Sequence, residues 1–70
     1  MKLRANSSMI AAWDYNFKSR NLVVTFKNGS NYQYFEVPPH DVIKVFGAPS
    51  VGKAFHRIII PKYRYEKLCG

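Results

Sequence analysis

The segment Phe26-Lys27-Asn28-Gly29-Ser30-Asn31-Tyr32-Gln33-Tyr34-Phe35-Glu36-Val37-Pro38 limits the fold of this chain more than any other stretch. Asn28-Gly29 marks a tight β-hairpin turn. The strand after it carries tyrosine at alternate positions and is stopped by Pro38-Pro39. Successive strand side chains point to opposite faces, so Tyr32 and Tyr34 share one. Whether that face is core or solvent decides whether the rings are structural or available for stacking.

Two registers are open. A two-residue loop at Asn28-Gly29 sets Leu22, Val24 and Phe26 opposite Phe35, Gln33 and Asn31, which places polar residues against an apolar stripe. A three-residue loop, Lys27-Asn28-Gly29 with a glycine bulge, sets Leu22 and Val24 opposite Tyr34 and Tyr32. A one-residue slip exchanges the faces, and burial favours the bulged register because it gathers the apolar side chains on one side. Tyr32 and Tyr34 are then mainly core, with their hydroxyls near the rim.

Around this hairpin, Met9 to Tyr15 reads as a first strand. Strict alternation points Met9, Ala11, Trp13 and Tyr15 one way and Ile10, Ala12 and Asp14 the other. Leu22 to Lys27, β-branched and aromatic, is the second strand. Pro39 suits the first turn of a helix, where Val42, Val45 and Phe46 recur at one-face spacing and Gly47 ends the run. Ser50 is a good N-cap for a second helix through Val51, Ala54, Phe55 and Ile58, closed by Pro61 at about Ile60. The expected fold is α+β, an antiparallel three-stranded β-meander followed by two short helices. Residues 1–6 form a flexible N-terminus and residues 7–68 a single domain.

At 70 residues the core is small, and such chains often need a staple or a partner. Cys69 is the one cysteine, so an internal disulfide is excluded. His40, His56 and Cys69 lack ligand spacing, so no metal or cofactor is expected. Oligomerisation is the remaining support, and a homo-oligomer is expected. No apolar run approaches a membrane span or a signal peptide, which points to the cytoplasm. Eleven Lys and Arg against four Asp and Glu give a net charge of +7, which attracts polyanions. No two of the Lys and Arg are adjacent, so the cations are dispersed rather than gathered in a tail.

Several of these features, taken in order, resemble a known family. Ser7-Ser8, Tyr15, Phe26-Lys27-Asn28-Gly29-Ser30 with Tyr32-x-Tyr34, Val37-Pro38 and Ala48-Pro49-Ser50-Val51-Gly52-x-x-Phe55 are similar to the KTSC domain, over residues 7–65. That domain is named for the C-terminus of some lysyl-tRNA synthetases and also occurs as short stand-alone proteins of bacteria and phages. The resemblance implies RNA as a partner through that association. The chain departs from the pattern at Trp13-Asp14 and at His56.

No nucleophile, base or carboxylate constellation is evident, so catalysis is not expected. Ser50, Gly52 and Lys53 open a helix whose free N–H groups suit an anion, or else Ser50 simply caps it and Gly52 makes room for packing. Lys53, His56 and Arg57 share one helix face; with Lys62, Tyr63, Arg64 and Tyr65 they alternate cations and rings, a mixture that suits nucleotides. A solvated helix face beside tyrosines packed on the sheet is the other reading. Trp13 is either core or a stacking platform.

The expected function is non-catalytic binding of a phosphodiester ligand. One form is an oligomeric, phage-type sponge that sequesters a cyclic oligonucleotide signal; the alternative is an RNA-binding module. A second alternative is a protein-interaction module that inhibits or docks on a host protein through exposed Val23, Phe35 and Trp13.

Overall fold

The hairpin adopts the bulged register. In a computed structural model, which describes residues 2–4 and 9–69, Leu22 pairs with Tyr34 and Val24 with Tyr32. Phe26 N–H donates to the Ser30 carbonyl at 2.9 Å and Gly29 N–H to the Phe26 carbonyl at 3.0 Å, with Gly29 at φ 94°. Asn28 braces the turn by accepting from Ser30 N–H through Oδ1 at 3.0 Å. A Cβ on Gly29 would meet nothing within 4 Å, so the cost of a side chain there is backbone strain alone. Gly29→Ala should therefore lower stability by about 1–2 kcal/mol. An unchanged chemical-denaturation midpoint would show that the turn tolerates an L side chain.

The architecture is α+β, with an antiparallel sheet and two helices. In chain order these are β1 (Lys2–Arg4), β2 (Ile10–Tyr15), β3 (Leu22–Phe26), β4 (Asn31–Tyr34), α1 (Pro39–Phe46), α2 (Val51–Ile58) and β5 (Tyr65–Cys69). Sheet order follows chain order, β1-β2-β3-β4-β5. The expected three-stranded meander is β2–β4, and the sheet extends it on both sides. After the two helices the chain returns and pairs β5 along the free edge of β4. An uncovered edge leaves a row of unpaired N–H and C=O groups, which β5 satisfies. The short β1 pairs with β2, so part of the expected loose segment 1–6 is strand. Ser7-Ser8, with Met1, Ala5, Asn6 and Gly70, lies outside the described residues.

Strict alternation along β2 is broken. Ile10 pairs with Phe26 and Ala12 with Thr25, which leaves Ala11 as an extra residue in a bulge. The insertion turns Ile10 to the same side as Trp13 and Tyr15, whose partners are Val24 and Leu22. Ile10 is accordingly fully buried, and Trp13 and Tyr15 pack at the core's edge.

Both helices cover one face of the sheet. Val42, Val45, Val51, Ala54, Phe55 and Ile59 join Ile10, Leu22, Val24, Tyr34 and Val37 in one core. Phe55 is central, edge-on to Tyr34 at 5.3 Å and to Phe26 at 5.9 Å between ring centroids. Glu36, at φ 55°, turns the chain out of β4 so that Val37 enters the core. The Val37 carbonyl accepts the Tyr15 hydroxyl at 2.5 Å, which ties the approach to α1 to the end of β2. Gly47 caps α1, but at φ −95° rather than in the left-handed region. Glycine is required there by space, because a Cβ would sit 2.9 Å from the Ile43 carbonyl oxygen. The opposite sheet face, free of helices, carries Val23, Thr25, Asn31 and Gln33, with Thr25 Oγ1 donating to Asn31 Oδ1 at 2.6 Å. Among the described residues no helix is long and apolar enough to cross a membrane.

Candidate functional site

Where β4, β5 and the end of α2 meet, four of the singled-out residues come together. Tyr32 and Tyr34 face the helices because their partners Val24 and Leu22 do. The β4–β5 register places Tyr65 opposite Tyr34 and Lys67 opposite Tyr32. The Tyr65 ring lies 5.6 Å from Tyr32 and 5.8 Å from Tyr34, centroid to centroid. His56 arrives from the exposed side of α2, with Nε2 3.3 Å from Met9 Sδ. With Phe26 and Ile60 these rings line a hollow of about 280 Å³. That is the lower end of small-molecule pockets and matches one planar group better than a whole dinucleotide.

Depth is graded across the hollow. Tyr34 is buried as its floor, while Tyr65 is 56% exposed at its rim. Burial, then the neighbouring Tyr32 and Tyr65, pushes the Tyr34 phenol up to about 12, so it is a neutral donor at physiological pH. Lys53, His56 and Arg57 are all exposed, as the one-face spacing requires. Lys67 is a cation the sequence reading missed. Its position became meaningful only once β5 paired with β4, and directly opposed residues on adjacent strands are close neighbours.

The other candidates are placed elsewhere. Trp13 stacks on Phe46, at 4.2 Å between centroids and 11° between planes, so α1 already covers one face of the indole. Arg64 lies over the Phe35 ring at 5.1 Å. Tyr63 and Tyr65, adjacent under alternation, diverge: Tyr63 precedes β5 and donates its hydroxyl to Asp41 Oδ2. Lys62 Nζ is 3.8 Å from the same carboxylate and His40 Nε2 3.4 Å from Asp41 Oδ1. Asp41 is 3% exposed, so it fastens α1 to the segment after α2 rather than merely complementing a helix dipole. Ser50, Gly52 and Lys53 stand at the start of α2. The Ser50 carbonyl accepts Ala54 N–H at 3.1 Å, but its hydroxyl makes no cap bond.

Tyr63 is also raised to about 12, by burial first and then by its hydrogen bond to Asp41. Tyr34 and Tyr63 therefore hold their protons in the folded state after an unfolded tyrosine, near 10, has released its own. Their contribution is fully present below pH 10 and is lost as pH rises from about 10 to 12. Stability measured by denaturation across that window should fall, and Tyr34→Phe should flatten the fall. A flat profile for the parent protein would contradict the assignment.

The fold and the hollow define a small α+β domain, one antiparallel sheet covered on one face by two helices. Residues 6–63 match the family model described as KTSC domain, and the chain belongs to that family. Tyr65 and Lys67 lie beyond the matched residues. The chain is similar to the crystal structure of a KTSC domain protein from Yersinia pestis, with a TM-score of 0.89 and 29% identity over 97% of this chain and 96% of that one. It is 36% identical over 66 residues to a lysine–tRNA ligase of Nostoc punctiforme, covering 94% of this chain. A protein of Stutzerimonas stutzeri is 31% identical over 68 residues, 96% of each chain. The chain spans only 12% of the length of the Nostoc punctiforme ligase.

Proposed function

We propose that the protein is a non-catalytic nucleotide-binding domain whose aromatic hollow takes one base while the surrounding cations meet phosphate. The observation that carries this reading is the convergence of Tyr32, Tyr34, Tyr65 and His56 around 280 Å³, with Lys67 beside Tyr32. Rings stack on any base, and dispersed cations answer a phosphodiester without a polybasic tract. A hollow sized for one base gives a ligand with several bases a reason to engage several copies. Cyclic oligonucleotides held between subunits of a homo-oligomer follow from that, and stoichiometric sequestration, as in a phage-type sponge, is the action.

Calorimetry with a panel of cyclic di- and trinucleotides tests the reading. A saturable heat is expected with at least one member. Tyr65→Ala should weaken it by about 1–3 kcal/mol, the worth of one base–aromatic stack. No heat at micromolar protein with any member sinks it. A second reading, an RNA-binding module, is favoured by the lysine–tRNA ligase relatives. The helix-free sheet face argues against a ring-lined RNA platform there, since β2–β4 present Val23, Thr25, Asn31 and Gln33 on it rather than rings. Steeply salt-dependent retention of tRNA without cyclic-nucleotide heat would select RNA.

A further inference from the structure

A second concavity shares no lining residue with the hollow. It lies between the end of β2, the turn that follows, and α1. Trp13, Tyr15 and Phe17 form one side and Val42, Ile43 and Phe46 the other, around a groove of about 440 Å³. Phe17 and Ile43 stand at its lips 71% and 70% exposed, the two most exposed bulky apolar side chains among the described residues. Of the apolar surface expected at Val23, Phe35 and Trp13, Val23 is half-buried and Phe35 lies under Arg64, whereas Trp13, stacked on Phe46, lines this groove.

We infer that the groove is a docking site for an acidic amphipathic helix of a partner protein, whose bulky apolar side chains fill it while its carboxylates meet the exposed cations on the adjoining turn and helix. Charge identifies the occupant. Lys18 and Arg20 are exposed on the turn that carries Phe17, and exposed Lys44 follows Ile43 on α1. Among the described residues no charged side chain of either sign lines the groove itself, so these cations stand around it rather than in it. A second copy of this chain would bring the same cations to the same place at a net +7 per copy, and opposed like charges are penalised. A lipid surface would touch Phe17 and Ile43 but leave the concavity between them unfilled. A helix presenting side chains at i, i+3 and i+4 fills such a groove, and carboxylates on its flanks complement those cations.

Trp13 lines the groove and is the one tryptophan of the chain, so its emission reports occupancy. The probe is a tryptophan-free, helix-forming peptide with Leu and Phe at i, i+3, i+4 and i+7 and Glu elsewhere, titrated into the protein. A saturable change in emission is expected. Affinity should fall about ten-fold or more when Lys replaces every Glu, and by a similar factor in Phe17→Ser/Ile43→Ser protein. Both substituted positions are exposed, and an unchanged melting temperature verifies that the double variant folds. Tyr65→Ala should leave the titration unaltered. No response to the acidic peptide, equal affinity for the Lys peptide, or an unaffected double variant overturns the inference. So does a dimer by light scattering that Phe17→Ser/Ile43→Ser dissolves, or an emission change with phosphatidylserine vesicles but not with the peptide.

Discussion

Phe55→Ala should remove a large share of the folding free energy of this domain. Phe55 has no exposed surface, and its ring is edge-on to both Phe26 and Tyr34. Truncating such a ring costs about 3–5 kcal/mol, as lost transfer energy plus the cavity left behind. A chain of 70 residues has on the order of 4–10 kcal/mol in total, so the loss takes roughly a third of it or more and, at the lower end of that range, brings the variant to its unfolding midpoint in water. Urea denaturation followed by far-ultraviolet circular dichroism reads this directly. Ile58→Ala on the same helix, where the side chain is only half-buried, should cost clearly less. Equal effects would mean that Phe55 is not the keystone of the core. The same substitution removes the ring behind the Tyr34 floor, so the nucleotide binding proposed above should be lost with it.

The second large effect is expected at Asp41. Asp41→Ala takes away the acceptor of the Tyr63 hydroxyl and leaves that half-buried phenol without its partner. Hydrogen bonds to a charged group contribute about 1.5–3 kcal/mol, and a loss of that order is expected. Lys62 adds little, because its side chain is 61% exposed and screened. Tyr63→Phe is the companion variant. In a double-mutant cycle the two losses should fall well short of adding, because each removes the same bond. Strict additivity would show that Asp41 and Tyr63 act separately. Asp41→Ala should also let Tyr63 release its proton at lower pH, since the carboxylate's bond and charge both hold the phenol protonated. Absorbance at 295 nm follows that titration.

The hairpin was legible because two independent constraints agree on it. Gly29 takes the positive φ that the turn needs, and only the bulged register buries Leu22, Val24 and Tyr34 together. The helices were legible for a similar reason, with Val42 and Val45 in one and Val51, Ala54 and Phe55 in the other spaced to a single face. The bulge at Ala11 was not. Small Ala11 and Ala12 carry no signal of which one is the extra residue, and strict alternation misplaced Ile10. Nor was β5: the sequence suggests tyrosines packed on the sheet but gives Tyr65–Cys69 no strand partner until the free edge of β4 supplies one. The hollow inherits that gap, since Tyr65 and Lys67 both come from β5. The stack of Trp13 on Phe46 and the bond from Tyr63 to Asp41 join residues far apart in sequence. Local spacing says nothing about such pairs.

The outer wall of the hollow stands on the last strand of the sheet, which among the described residues is held along one side only. Its ladder begins where Phe35 N–H donates to the Arg64 carbonyl at 2.9 Å and runs along Tyr65–Cys69. A strand attached at one edge breathes more readily than β3, which is clamped on both sides. Opening of the hollow is therefore expected first at β5, whose Tyr65 forms its rim. Deuterium uptake at the amides of β5 becomes a gauge of the site: fast in the free protein, and slowed there, before anywhere else, once a ligand pins Tyr65.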